Sequence, residues 1–225
     1  KLESWLNNFA DQFLVETLDM IDNSWRNVTF ENYDSIVHVA GIAHIKENKK
    51  NVALYYKVNR DLAFEVAKKA KYDGVKQFIF LSSMSVYGLE SGVIDKNTIP
   101  NPNTYYGRSK LEAERLILEL SSEIFKIAIV RPPMIYGPGC KGNYPKLSKL
   151  AEKISFFPNY DNQRSMIYID NFTQFIKILI EKQSNGYFYP QNSNYVNTKN
   201  LVENIAKAKG RNIYFVKIFS PFIRL

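Results

Sequence analysis

Three short, nearly continuous apolar runs constrain the fold most: Ser35–Ala40 (Ser-Ile-Val-His-Val-Ala), Lys76–Ser82 (Lys-Gln-Phe-Ile-Phe-Leu-Ser) and Lys126–Arg131 (Lys-Ile-Ala-Ile-Val-Arg). Strands that face solvent on one side alternate apolar and polar residues. Runs this uniform belong to strands covered on both faces, which is the condition of a parallel sheet. Segments of helical period separate them. Residues 51–73 carry a stripe of Leu54, Val58, Leu62 and Val66 that stops at Gly74, and residues 104–122 carry Ala113, Leu116, Ile117 and Leu120. Strand, helix, strand, helix in this order predicts an α/β fold with a doubly wound parallel sheet.

Further elements follow from the same periodicities. An amphipathic helix is expected at 2–10, and a short strand at Leu14–Asp19. The strand at 126–131 is stopped by Pro132-Pro133. A loop is expected at 134–142, then a helix near 144–153, a short strand at Met166–Ile169 and a helix over 171–182. Strand-like Tyr187–Tyr189, a helix at 199–209 capped by Thr198 and Gly210, and a strand at 212–218 complete the pattern. Regular alternation ends near residue 133. The expected division is therefore 1–133 for the sheet domain and 134–225 for a smaller lobe that returns in part to the sheet.

Composition narrows the function classes. The 225 residues, 45% hydrophobic, suffice for a sizeable core. No run approaches the roughly 20 apolar residues of a membrane span. A single cysteine, Cys140, precludes an internal disulfide and fits a reducing cytoplasm. With two histidines besides, no metal site is expected. The net charge of +8 comes from scattered lysines and arginines, so nucleic-acid binding is not expected, although a positive field suits a phosphate-bearing small molecule.

Chemistry enters at Tyr106 and Lys110. They are four residues apart on one helix face, 23 residues beyond Ser83 in the cluster Ser82-Ser83-Met84-Ser85. A tyrosine, a lysine one turn later and an upstream serine form a proton-transfer set. A phenol with a pKa of about 10 is a poor base at neutral pH, and a neighbouring ammonium favours the phenolate. The spacing also occurs at Tyr72/Lys76 and Tyr195/Lys199, so position must decide. Ligands of doubly wound folds bind beyond the carboxyl ends of the strands. Asp19, Ala40-Gly41, Ser82-Ser83 and Pro132-Pro133 all follow expected strands, and Tyr106 opens the next helix. Five segments thus converge on one crevice. Asp19 is placed to bind the two hydroxyls of an adenosine ribose, favouring NAD over NADP. Gly41 lets a cofactor approach the backbone. His38 reads as a packed core residue.

Together these segments resemble the extended short-chain dehydrogenase/reductase family, in its NAD-dependent epimerase/dehydratase branch. The resemblance rests on Val-His-Val-Ala-Gly (37–41), Val-Asn (58–59), Phe-Leu-Ser-Ser-Met-Ser-Val-Tyr-Gly (80–88), Tyr-Gly-Arg-Ser-Lys (106–110), Val-Arg-Pro-Pro-Met-Ile-Tyr-Gly-Pro-Gly (130–139) and Arg-Ser-Met-Ile-Tyr-Ile-Asp-Asn (164–171). The last two look most like bacterial enzymes acting at C4 of UDP-sugars in surface-polysaccharide synthesis. The resemblance implies a Rossmann-like fold, NAD as cofactor and a UDP-sugar as substrate. Tyr106 would be the acid/base, and Lys110 would bind the nicotinamide ribose and lower the tyrosine pKa. Ser83 would hold the reacting oxygen with Ser85 beside it. Ala40, Gly41, Asn59, Ser82, Pro132 and Pro133 would touch the cofactor, and Asn143 and Arg164 the substrate diphosphate. It also implies a homodimer through the helices at 51–73 and 104–122.

Three departures from the family pattern shape the expectation. The family's Gly-x-x-Gly-x-x-Gly loop does not occur here, so the strand and loop that carry it are expected to precede Lys1. In the usual order the absent strand would lie between Leu14–Asp19 and Lys76–Ser82, leaving an open slot and weak cofactor binding. Met84-Ser85 stands where family dehydratases carry Asp-Glu, which disfavours elimination of water. The C-terminal end is short. The expected activity is a UDP-hexose 4-epimerase, with a 4-keto reductase as the alternative. A non-catalytic nucleotide sensor or scaffold and a polyanion-binding surface are the readings from other classes. Retention of Ser83, Tyr106 and Lys110 together argues against the sensor.

Overall fold

The computed structural model describes residues 6, 9–43, 45 and 47–217. The chain divides into two compact units. One comprises residues 2–132 with 173–190, and the other residues 133–172 with 191–225 and Lys1.

The first unit is built on a four-stranded parallel sheet in the order β1 (Ser35–His38), β2 (Gln77–Leu81), β3 (Lys126–Val130), β7 (Gly186–Phe188). Helices α1 (Val52–Tyr56) and α2 (Leu62–Tyr72) connect β1 to β2, and α3 (Tyr105–Leu118) connects β2 to β3. The apolar runs sort by parity. Phe78 and Phe80 of β2 and Ile127 and Ile129 of β3 enter one core with Ala63, Val66, Ala67 and Ala70 of α2 and Ala113 and Ile117 of α3. All ten are fully buried or nearly so, and each large side chain contributes about 1.5–3 kcal/mol by leaving water. Gln77 and Ile79 project to the opposite face. There the buried Gln77 amide donates to the carbonyls of Leu179 and Ser184 and accepts from Ser35 Oγ. Leu179 lies on α5 (Ile169–Glu181), so both faces of the sheet are covered, as the unbroken apolar runs require.

The first helix departs from its expected stripe. Between α1 and α2 the chain makes a π-helical turn, Lys57–Asp61. The wider turn rotates the inward face by about one position, so that Tyr55, Asn59, Ala63, Val66 and Ala70 are buried and Leu54 is 42% exposed. Asn59 is thereby brought into the interior.

The expected strand at Leu14–Asp19 does not form. Its backbone makes no ladder, Leu14 is 88% exposed, and only Leu18 and Met20 press against the core. A strand needs a partner backbone. Here β1 pairs directly with β2, residue by residue from Ser35↔Gln77 to His38↔Phe80. That pairing also corrects the expected slot, because β2 is flanked by β1 and β3 with no gap beside it. The expected helix at 2–10 lies mostly outside the described residues.

The second unit holds two pairs of parallel strands. β4 (Met134–Tyr136) pairs with β6 (Met166–Tyr168), and β5 (Phe156–Pro158) with β8 (Tyr214–Val216). The strand β4 replaces part of the loop expected at 134–142. Three residues give too little periodicity to read from sequence, and the partner is 32 residues away. The strand β5 was likewise not expected. Helices α4 (Asn143–Ala151) and α6 (Thr198–Ala208) pack Leu147, Ala151, Val202, Ile205 and Ala206 with Phe157 and Ile213. The cap of α6 is Asn197 and not Thr198: its Oδ1 accepts from the Lys199 and Asn200 amides.

Candidate active site

Beyond β2 the chain turns sharply. Ser83 caps a 3-10 turn, Met84–Tyr87, with its Oγ accepting from Ser85 N at 3.1 Å and donating to Ser85 Oγ at 3.1 Å. The Ser82 amide donates to Val130 O at 2.8 Å, and the Met84 amide to Pro132 O at 3.4 Å. The serines are therefore seated on the end of β3.

Helix α3 begins against this turn. Gly107 makes the approach possible: a Cβ there would stand 2.5 Å from Ser85 O and 2.9 Å from Pro102 Cβ. The close contact brings Tyr106 near Ser83, whose hydroxyl acts on the phenol. Burial pushes the Tyr106 phenol above its usual value of about 10. The Ser83 hydroxyl pulls it back in part, and Tyr55 adds a smaller upward push.

Lys110 is on the same helix and almost fully buried. Its Nζ donates to Leu81 O at 2.8 Å and lies 4.5 Å above the Phe80 ring. Burial lowers its pKa from 10.5 to about 8, with the charge of Glu114 opposing the drop. The ammonium is engaged with β2, and the groups that set the phenol are burial, Ser83 and Tyr55.

Gly41, after β1, lies over Lys110: an added Cβ would sit 3.0 Å from Asn59 Oδ1 and 3.4 Å from Lys110 Nζ. Asn59 is fully buried, with Oδ1 accepting from the Ile42 amide and Nδ2 donating to Ile42 O and Ser109 Oγ. Its bonds pin the loop after β1 to α3. Ser82 is likewise a tether, because its hydroxyl donates inward to Glu114 Oε1. Both side chains thus also act as supports of the site, bonded to backbone, serine and carboxylate partners within the protein.

A buried ion pair holds these pieces together. Arg131, at the end of β3, forks onto Glu114 of α3, with Nε to Oε1 at 3.0 Å and Nη2 to Oε2 at 2.5 Å. Its Nη1 donates to Tyr87 OH at 2.8 Å, and its guanidinium lies 4.5 Å from the Tyr187 ring. Burial works against the charge, but the hydrogen bonds and charge of Glu114 outweigh it and raise the arginine pKa. Glu114 is four residues beyond Lys110, so the i, i+4, i+8 series Tyr106, Lys110, Glu114 carries both chemistry and anchor. That spacing could have revealed Glu114; Arg131 had no such signal.

His38 is a packed residue, as expected. It stacks on Phe78 and Phe80, its Nε2 has no hydrogen-bond partner, and burial, with the Lys110 charge second, lowers its pKa to about 3. Asp19 is exposed, and its Oδ1 accepts from the Ile21 amide at 2.9 Å. Ala40 is half-buried and Pro132 buried in the same unit. Pro133, Asn143 and Arg164 belong to the second unit. There Asn143 opens α4, and Arg164 forms an isolated antiparallel bridge with Val196. An open cavity of about 340 Å³, lined by Lys71, Lys76, Glu123, Lys126 and Gln183 among others, lies at the amino ends of β2 and β3, opposite to where such sheets bind ligands. No helix among the described residues is long and apolar enough to cross a membrane.

The strand-end residues fit the ribose–nicotinamide half of a dinucleotide. Gly41 packs its backbone closely over the buried Lys110, which directs one of its three donors to Leu81 O.

Comparison with known proteins gives the family. The sequence is 32% identical over 214 residues to a UDP-glucose 4-epimerase of Vibrio cholerae, covering 89% of this chain and 65% of that protein. It is 31% identical over 188 residues to an N-acetyl-alpha-D-glucosaminyl-diphospho-ditrans,octacis-undecaprenol 4-epimerase of Escherichia coli O157:H7, covering 81% and 55%. The chain thus spans rather less than two thirds of the length of these curated relatives. Its fold matches that of a UDP-glucuronic acid 4-epimerase from Bacillus cereus in complex with NAD, with a TM-score of 0.72 at 22% identity over 92% of this chain and 69% of that one. The Rossmann-like α/β fold follows, and the profile of the NAD dependent epimerase/dehydratase family matches residues 6–189. The chain belongs to the NAD dependent epimerase/dehydratase family.

Proposed function

We propose that the protein is an NAD-dependent enzyme of nucleotide-sugar metabolism that works at sugar C4, as a UDP-hexose 4-epimerase in surface-polysaccharide synthesis. The observation that carries this reading is the close packing of the Tyr106-Gly107 turn onto Ser83–Ser85 at the carboxyl end of β2, with Lys110 one helical turn along. When bound, NAD supplies the acceptor and donor of hydride at C4. Tyr106 takes the proton of the C4 hydroxyl and returns it, and Ser83 holds the reacting oxygen with Ser85 behind it. Lys110 would hold the ribose hydroxyls beside Gly41 and Ala40. Pro132 and Pro133 would flank the nicotinamide. Asp19 would bind the adenosine ribose and favour NAD. Asn143 and Arg164 would take the substrate diphosphate, for which a guanidinium fork is suited.

Met84-Ser85 supplies no carboxylate for elimination of water, which separates this reading from a dehydratase. A cytoplasmic location and pairing of two chains through α1–α2 and α3 belong to the same proposal. Full-length protein is expected to interconvert UDP-glucose and UDP-galactose without added cofactor, and Tyr106→Phe to lower turnover by roughly 10²–10⁴-fold. Unchanged turnover in Tyr106→Phe would refute the acid/base role. A strict need for reduced cofactor and a 4-keto sugar would select a 4-keto reductase instead. Preference for the 2′-phosphorylated cofactor would remove Asp19 from the site.

A further inference from the structure

Helix α3 begins with three amide N–H groups that no helical carbonyl can accept, those of Tyr105, Tyr106 and Gly107. Thr104 Oγ1 accepts from Gly107 N at 3.0 Å. The other two are taken by one carboxylate from 58 residues away. Glu47 Oε2 accepts from the Tyr105 amide at 3.0 Å and Glu47 Oε1 from the Tyr106 amide at 2.9 Å. A carboxylate in the first turn of a helix usually comes from Glu or Gln at the third helical position, which reaches back to the N-cap amide. Here that position is Gly107, which has no room for a side chain because Ser85 O would lie 2.5 Å from its Cβ. The close approach that brings Tyr106 near Ser83 therefore excludes a carboxylate at that position, and Glu47 brings one to the first turn beside the Thr104 cap.

The segment that carries this carboxylate is itself held from two sides. Asn59 grips Ile42 at the start of the segment after β1, and Tyr55 OH donates to Ile45 O at 2.7 Å. A carboxylate gripping two successive amides fixes the rotation of the first helical turn, and so the direction in which the Tyr106 side chain leaves the backbone.

We infer that Glu47 is a positioning residue for Tyr106: by bridging the Tyr105 and Tyr106 amides it sets the pose of the phenol against Ser83. This rests on the acid/base role proposed for Tyr106. A displacement of an ångström is enough to slow proton transfer severely. In full-length protein, Glu47→Ala is expected to lower kcat roughly tenfold to a hundredfold while KM for the nucleotide sugar stays within about twofold. Glu47→Gln keeps one acceptor oxygen and is expected to restore part of the loss. In amide NMR spectra of the protein without added substrate, the Tyr105 and Tyr106 protons should both move upfield in Glu47→Ala, and one of the two in Glu47→Gln. Circular dichroism confirms that each variant is folded at the assay temperature. If Tyr106→Phe is inactive and Glu47→Ala turns over like the parent, the inference is overturned and the role of Tyr106 stands. If Tyr106→Phe retains full turnover, the role of Tyr106 fails and the positioning inference fails with it. Unmoved amide signals in folded Glu47→Ala would overturn the inference whatever the kinetics.

Discussion

Removing Arg131 tests whether the buried ion pair fastens the candidate site to the sheet. In Arg131→Met the side chain keeps most of its apolar stem, but three hydrogen bonds go: two to Glu114 and one to Tyr87 OH. Bonds to charged groups are each about 1.5–3 kcal/mol, but they share one guanidinium and do not add. The larger effect is on what stays behind. Glu114 is fully buried, and without Arg131 its carboxylate retains the Ser82 hydroxyl as a donor. Leaving one buried charge of a pair uncompensated costs about 3–5 kcal/mol. We therefore expect a loss of about 3–5 kcal/mol, a large part of a typical domain's 5–15 kcal/mol. The matching fall in Tm is roughly 6–20 °C at 2–4 °C per kcal/mol. The double variant Glu114→Leu/Arg131→Met removes both charges and should recover at least about 2 kcal/mol of that loss, because no ion is left unpaired. Urea unfolding followed by far-ultraviolet circular dichroism measures all three proteins. A loss below about 1 kcal/mol in Arg131→Met, or a double variant no better than the single, would refute the reasoning.

The remaining predictions concern titrating groups. Lys110 is a charge held in the core for chemistry, and its fall from 10.5 to about 8 corresponds to roughly 3 kcal/mol against the charged form. That penalty is complete below pH 8 and fades as pH rises toward 10.5, where the unfolded chain also loses its proton. Allowing for the Leu81 carbonyl left without its donor, Lys110→Met should be about 1–2 kcal/mol more stable than the parent at pH 7 and lose that advantage by pH 10, while turnover collapses. A destabilised Lys110→Met at pH 7 would contradict this. His38, lowered to about 3, is neutral in the fold, while the unfolded chain takes up a proton below pH 6.5. Stability is therefore lost as pH falls from 6.5 toward 3, by about 4–5 kcal/mol in full. His38→Phe, stacked between Phe78 and Phe80, should shift the midpoint of acid unfolding to lower pH; an unmoved midpoint would show that other groups set it.

The central elements of this chain could be read from local pattern because local physics forms them. Buried parallel strands need unbroken apolar runs, and Ser35–His38, Gln77–Leu81 and Lys126–Val130 lie where those runs are. Tyr106, Lys110 and Ser83 could be picked out because they follow strand ends in a fold that binds ligands there. Pairing was another matter. Leu14–Asp19 has the composition of a strand and no partner, while Met134–Tyr136 and Phe156–Pro158 are three-residue strands made only by partners 32 and 58 residues along the chain. The π turn at Lys57–Asp61 likewise has no local signature; it decides that Asn59 faces inward, where it bonds to Ser109.

By itself, then, the sequence determined the doubly wound α/β class, the residue types of a proton-transfer set and their place beyond the strands. All of these follow from periodicity and spacing within a few turns of chain. The tertiary structure alone decided what each polar group is bonded to. Packing Gly107 onto Ser85 sets Tyr106 near Ser83, and Glu47, 59 residues before Tyr106, takes its amide, while burial raises the phenol and lowers the lysine. Bond partners and local dielectric depend on what the fold brings within about 3 Å, and no spacing along the chain records that.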